Sequence, residues 1–364
     1  MTFFATAIDD PRRHDPSTLA RRWADLRAAQ PSLRVRDAAD ALGVSELELA
    51  ATQVGATARW LDGDLAALLH GLPAVGRCMA LTRNPAAVSE VRGRYGGVEL
   101  ASGVGLVHGE AIDLRVFMAH WRYALAIAEG DLRRPDGVRR SVQVFDGAGT
   151  AVHKVYLEPD GELTTWEALI EARAAATPPT VDLAPSVSAA ARPDADVDAA
   201  ALGRDWDALT DTHEFFPMLR RHGLTRTQAL RLAGGRRARQ VSAQALAIVL
   251  GDASETARPI MIFVGNRGCI QIHSGPVVRI RRIDRWLNVL DPAFNLHLRE
   301  ELIARAWVVT KPTAAGPVTS LELFDDAGEV IALVFSQRDD RGATEDPGWA
   351  SLLGHLAEVR HGQR

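Results

Sequence analysis

Two stretches with alternating apolar and polar residues, Ser141–Tyr156 (SVQVFDGAGTAVHKVY) and Ser320–Phe335 (SLELFDDAGEVIALVF), lie on each other position for position. Each predicts a hairpin, with two strands at period two around an Asp- and Gly-bearing turn. A tryptophan-led helix follows each at similar spacing, WEALIEA from Trp166 and WASLLGH from Trp349. Strand-period runs precede both hairpins. In the first half they are RCMALTRN, VELASGVGLVHG and AIDLRVFM; in the second, RPIMIFVGNRGCIQIHSGPVVRI and WLNVLDPAFNLHLREELIARAWVV. Helical, alanine-rich blocks come before these runs, from Pro16 to about Leu69 and over 206–250. The pattern predicts an α+β fold, a tandem duplication of a mainly antiparallel β-sheet unit with packed helices. The expected boundaries are 16–176 for the first repeat, 177–204 for a Pro-, Ala- and Asp-rich linker, and 205–362 for the second repeat. Residues 1–15 read as a loose arm.

The stretch Trp206–Leu232, WDALTDTHEFFPMLRRHGLTRTQALRL, carries the candidate chemistry. On one continuous helix Trp206, Leu209, His213 and Phe216 would share a stripe facing the core. A histidine there is either a hydrogen-bonded core imidazole or an axial ligand facing a flat apolar cofactor. Pro217 predicts a bend or restart of the helix. Gly223 is placed to end it, and Thr225-Arg226-Thr227-Gln228 reads as a capping box, which puts Arg226 in a first turn that favours anions. In the first half, Val35–Thr52 reads as a helix-turn-helix with Gly43 at the turn and Ser45 capping the second helix. Glu46, Glu48 and the alanines around them suit a packed helix pair better than base recognition.

The composition, 47% apolar and 24% charged, is that of a globular protein, and a formal charge of -4 gives no bulk attraction to nucleic acid or acidic membrane. Cys78 and Cys269 stand far apart with no CxxC, so neither a disulfide framework nor a thiolate metal site is indicated. The amino-terminal order is not that of a secretory signal and no run is long enough for a membrane span, so the expectation is a cytoplasmic chain. The histidines outside the central stretch have no zinc spacing, and no GxSxG is present. Three cations are singled out by their settings: Arg115 beside Phe117 in an apolar strand, Lys311 before Pro312 at a strand end, and Arg338 after the last strand. Each reads as a surface charge alone, or with the others as a carboxylate clamp.

The segments RNPAAVSEV–GRY, IDLRVFMAHW, SVQVFDGAGTAVHKVY, the whole of Trp206–Leu232, PIMIFVGNRGCIQIHSGPV, LNVLDPAFNLHLRE, WVVTKPT and SLELFD–DAGE resemble the haem-utilisation proteins of the HemS/ChuS type, also called hemin-degrading factors. The resemblance runs from about residue 20 to 360. It implies a cytoplasmic protein downstream of haem import, with repeated antiparallel sheets and one haem b (iron protoporphyrin IX) between a histidine-bearing helix and the C-terminal sheet. By resemblance His213 is the iron ligand, Arg115, Arg226, Lys311 and Arg338 are the basic haem contacts, and Phe117 and Phe263 pack on the ring. Members are described as haem-degrading enzymes using a reductant and oxygen, or as chaperones that pass haem to a separate haem oxygenase. A haem ABC transporter is the implied upstream partner. The chain departs from the family where Ser89 replaces a common histidine, and where FSQRDDRG replaces FGKRKPG around Arg338.

Overall fold

Five helices and nine strands recur in one order, twice, in a computed structural model that describes residues 16–31, 33–184, 191–338 and 344–359. The first series opens with α1 (Pro16–Ala29), α2 (Val35–Leu42), α3 (Glu46–Ala51), β1 (Ala58–Trp60) and α4 (Leu65–Gly71). It goes on through β2 (Arg77–Arg83), β3 (Ala87–Arg94), β4 (Gly97–Ala101), β5 (Val104–His108) and β6 (Asp113–Phe117). It closes with β7 (Tyr123–Gly130), β8 (Val138–Phe145), β9 (Ala151–Leu157) and α5 (Leu163–Ala172). The second opens with α6 (Ala199–Asp207), α7 (Phe215–His222), α8 (Arg226–Ala233), β10 (Ala238–Val241) and α9 (Ala245–Glu255). Next come β11 (Ile260–Gly265), β12 (Cys269–Gly275), β13 (Ile280–Ile283), β14 (Trp286–Leu290) and β15 (Phe294–Arg299). The last four are β16 (Arg305–Lys311), β17 (Val318–Phe324), β18 (Val330–Ser336) and α10 (Pro347–Gly354). The expected α+β duplication is present element for element. The loose-arm reading of residues 1–15 lies outside the described residues.

Local chemistry explains the helix ends. Gly43 and Gly223 take φ of 69° and 64°, left-handed values that a Cβ disfavours, and close α2 and α7. Ser45 then caps α3 through a full capping box, its Oγ accepting from the Glu48 amide and its own amide donating to the Glu48 carboxylate. Thr225 caps α8 in the same way, but only half of the expected box forms. Gln228 turns its Nε2 away, to the Arg192 carbonyl and Asp194. This ties residues 192–194 to α8, and α6 already starts at Ala199, so the stretch read as linker ends in helix.

Two compact units form, and they do not follow the repeats. One comprises Met1–Met79, Leu100–Gly105 and Phe117–Ser186; the other comprises Ala80–Glu99, Leu106–Val116 and Val187–Arg364. In the first unit the antiparallel ladder runs β1-β7-β8-β9, and Leu47, Trp60, Leu125, Ile127 and Phe145 fill the core beside it. In the second, one ladder runs β10-β16-β17-β18-β11-β12-β6 and another runs β3-β15-β14-β13. Two strands of the first repeat, β3 and β6, thus pair with strands of the second. The registers correspond: Ala87 faces Leu298 where β3 meets β15, and Cys269 faces Val116 where β12 meets β6. Trp206, Phe215, Met218, Leu230, Trp307 and Phe324 form a core cluster with α6–α8. Burial of such side chains is the chief favourable term, about 1.5–3 kcal/mol each. Cys78 and Cys269 are both buried and form no disulfide.

Candidate functional site

The strand exchange delivers Arg115 to the sheet of the second unit. Cross-strand partners share a sheet face. Trp307, Glu322, Leu333, Phe263, Ile272 and Asp113 face one another in sequence across six strands, so they form one row. Arg115, two residues on from Asp113 and opposite Ile270, shares that face, as do Phe335, Met261 and Lys311. Phe117 ends β6, and the division between units falls directly before it.

Towards β11, β12 and β18 this face is an apolar floor. Met261, Phe263, Ile270, Leu333 and Phe335 are each half-buried, whereas the residues between them on β11 and β18 are buried. Phe263 meets Phe335 edge to face, with centroids 5.1 Å apart. Arg115 at one border is half-buried and ion-paired with Asp113. Arg338, two residues past β18, is also half-buried, and its charge opposes the rise that burial imposes on the Glu345 carboxyl.

At the other border α7 and α8 lie over Lys311 and Glu322. Arg226 makes a bidentate pair with Glu322, Nε to Oε2 and Nη2 to Oε1 at 2.7 Å each, and Lys311 Nζ donates to the same Oε1 at 2.7 Å. The Phe215 ring lies 4.9 Å from the Arg226 guanidinium carbon and 4.6 Å from Lys311 Nζ, distances that suit cation–π attraction. Glu322 is completely buried and Lys311 is 3% exposed, so the reading of Lys311 as a surface charge fails. Burial alone would raise the Glu322 carboxyl, but the cations of Arg226 and Lys311 outweigh it and hold the group well below the usual carboxylate range. Glu322 was not anticipated. It sits in SLELF at the parity of Ser320 and Phe324, and that shared face was the available signal.

His213 departs from the continuous-helix expectation. The helix breaks after Asp207, a 3-10 turn covers Thr212–Glu214, and α7 restarts at Phe215 with Pro217 in its first turn, where no amide is needed. Trp206 and Leu209 are buried as expected, but the His213 side chain is 72% exposed and Phe216 is 63% exposed. The cause is Asp211-Thr212-His213-Glu214, a second capping box in which Asp211 accepts from the His213 amide at 2.8 Å. The same Asp211 Oδ1 lies 2.6 Å from His213 Nδ1. A carboxylate only accepts, so Nδ1 carries a proton, and the neutral ring then has its lone pair on Nε2. This is the tautomer that ligates metals, with the orienting carboxylate that such histidines usually have.

The donor set is one imidazole at the head of α7, cations on either side of an apolar floor, and aromatic rings on that floor. The sequence signature of the family described as "Haemin-degrading HemS.ChuX domain" matches residues 43–172 and 223–356. The chain belongs to this HemS/ChuS family of haem-utilisation proteins. It is 39% identical over 342 residues to the hemin transport protein HmuS of Yersinia pestis, covering 93% of this chain and 97% of the relative. Among solved structures it is similar to holo-PhuS, a heme-binding protein from Pseudomonas aeruginosa, at TM-score 0.91 and 47% identity over 95% of this chain and all of that one. It is similar as well to the heme degrading enzyme ChuS of Escherichia coli O157:H7, at TM-score 0.88 and 37% identity over 94% of this chain and 99% of that one.

Proposed function

We propose that this chain binds one haem b through His213 Nε2, with the tetrapyrrole over the Phe263 floor and its propionates paired by Arg115, Arg226, Lys311 and Arg338, Phe117 adding ring contact. The observation that carries the reading is His213, whose Nδ1 is engaged by Asp211 while Nε2 stays open. Imidazole ligates iron, apolar side chains cover the macrocycle, and guanidinium or ammonium groups pair the carboxylates. The chain then acts in the cytoplasm as a carrier, receiving haem brought in by an ABC transporter and handing it on for iron release, with a haem oxygenase as acceptor. Among the described residues no helix is long and apolar enough to cross a membrane. The HmuS relative, a hemin transport protein, supports carriage, and PhuS, a heme-binding protein, supports binding. The name of the ChuS relative supports a second reading, in which the chain itself opens the porphyrin with a reductant and oxygen.

One titration tests both. Haemin added to native protein should saturate near one equivalent with a defined Soret band that His213→Ala loses. Reductant in air, with catalase present, should leave the band standing in a carrier and bleach it in an enzyme. Equal, weak binding by both proteins would defeat the haem-ligand reading.

A further inference from the structure

The buried end of the site holds two cations around one anion. Lys311 and Arg226 both close on Glu322, and Ser320 Oγ adds a hydrogen bond of 3.0 Å to Oε1. The rings of Phe215 and Phe335 lie 4.6 Å and 6.0 Å from Lys311 Nζ and keep water from it. One carboxylate neutralises one cation, and the second is left in surroundings that penalise an unbalanced charge. The first repeat buries a balanced pair at other positions, with Lys154 standing where Leu333 stands and Gln143 where Glu322 stands. There Glu46, the residue after the Ser45 cap as Arg226 is after Thr225, pairs with buried Lys154 at 3.4 Å, one charge against one.

The choice of lysine is itself informative. Of 42 basic residues only Lys154 and Lys311 are lysine; all others are arginine. A guanidinium keeps its proton at any ordinary pH, whereas a buried ammonium releases one readily. Arg226 uses Nε and Nη2 for Glu322 and is about one-fifth exposed, so its Nη1 edge is left for an incoming acceptor.

We propose that Lys311 is the proton-exchanging member of a carboxylate seat: a ligand carboxylate settling against the Nη1 edge of Arg226 balances the cluster, and in alkaline solution, where Lys311 has lost its proton, it takes one up from solvent as the ligand binds. The inference rests on the reading that this face binds a porphyrin dicarboxylate. Lys311 Nζ is faced by Glu322 and Ser320 from β17, Arg226 from α8, Phe215 from α7 and Phe335 from β18. Glu322 and Arg226 are the charged groups that act on it among the described residues. Burial pushes its ammonium down to about 8, with Glu322 pulling it up and Arg226 pushing it further down. A second carboxylate adds an upward pull, so the free site is short of a proton above pH 8 and the loaded site is not.

The test uses the full chain with lysine labelled selectively with 13C at Cε, which gives signals from two residues that Lys311→Met assigns. The probe is iron-free protoporphyrin IX, which avoids titration of iron-bound water. The Lys311 signal should titrate near pH 8 in the free protein and at least about one unit higher with protoporphyrin bound. Protoporphyrin dimethyl ester, which lacks the carboxylates, should leave it near its free midpoint. Affinity for protoporphyrin IX should fall by up to about tenfold per pH unit above 8 in native protein and stay flat in Lys311→Met. An unchanged Lys311 midpoint in the complex overturns the proposal, as does an ester that shifts it equally. The ester comparison needs no variant, so poor folding of Lys311→Met does not protect the idea. Haemin binding that still depends on His213 would show that the proton coupling alone had failed.

Discussion

Asn84 and Asn266 each donate to the carbonyl of the residue just before the other. Asn84 Nδ2 meets the Gly265 oxygen at 3.0 Å, and Asn266 Nδ2 meets the Arg83 oxygen at 2.9 Å. Each also uses its Oδ1 to hold the turn that follows, Asn84 accepting from the Ala86 and Ala87 amides and Asn266 from the Gly268 and Cys269 amides. The two hairpins that lend and borrow strands are thus tied where their turns meet. Asn84 gives a further bond to the Ile331 carbonyl on β18.

Replacing Asn84 with alanine should therefore destabilise the fold by about 1–3 kcal/mol, because buried carbonyls and amides lose partners that water does not replace. Urea unfolding followed by tryptophan fluorescence reads this out. Asn266→Ala should behave alike, and a silent Asn84→Ala would mean that the reciprocal bonds are incidental.

Asp211 should matter to haemin through His213. With Asp211→Ala the imidazole loses its oriented tautomer and the 3-10 turn loses its cap. Loss of such orienting partners weakens metal affinity by about 10–100-fold, and the exposure of this pair points to the low end. Haemin titration would show it, and equal affinities in native protein and Asp211→Ala would remove Asp211 from the site.

Glu322→Ala should be the most damaging single change on the sheet face. It strands two cations, and breaking a buried charge pair in this way costs about 3–5 kcal/mol. The pH dependence follows from the depressed folded value of Glu322. Its contribution is fully present above its unfolded value of 4.5 and is lost as pH falls towards the lower folded one. Native protein and Glu322→Ala should converge in stability as pH drops below about 4.5. Parallel unfolding curves from pH 7 to pH 3 would contradict this.

Haem stoichiometry should be one. In the first repeat Leu33 stands where His213 stands, two residues before α2, and Glu46 takes the place of Arg226. The strand register puts His297 at the counterpart of Arg115, where it hydrogen-bonds Asn288. Native mass spectrometry with excess haemin should show a single retained haem; two in native protein, with one left in His213→Ala, would mean a second site elsewhere in the chain.

Much of the fold is legible in alternation and punctuation: both hairpins, Gly43 and Gly223 as stops, Ser45 and Thr225 as starts. The strand exchange is not, because β6 alternates identically whichever strand lies beside it. The break at His213 was readable, since Asp211–Glu214 has the spacing of a capping box, but the aromatic stripe from Trp206 argued for one helix. Arg226 and Lys311 were recognisable as cations of interest. Their shared anion was not, because a lone glutamate in SLELF looks like any solvent-facing strand position until α7 and α8 are laid over it. Ser89, where the family often has histidine, is buried and accepts from Gln271 on a strand of the other sheet, a contact that strand parity alone does not disclose.

The matched registers of β3 with β15 and β12 with β6 are what two separate single-repeat chains would make by lending each other a strand. Joining them in one polypeptide turns a search for a partner into the closing of a loop, so assembly no longer depends on how much protein the cell holds. It also frees the halves to diverge. An obligate symmetric pair must carry every substitution twice, whereas here the second repeat carries His213 and Arg226 where the first has Leu33 and Glu46. A cut through the connector would make assembly depend on concentration, with fragments that hold together only while each keeps the other's strand.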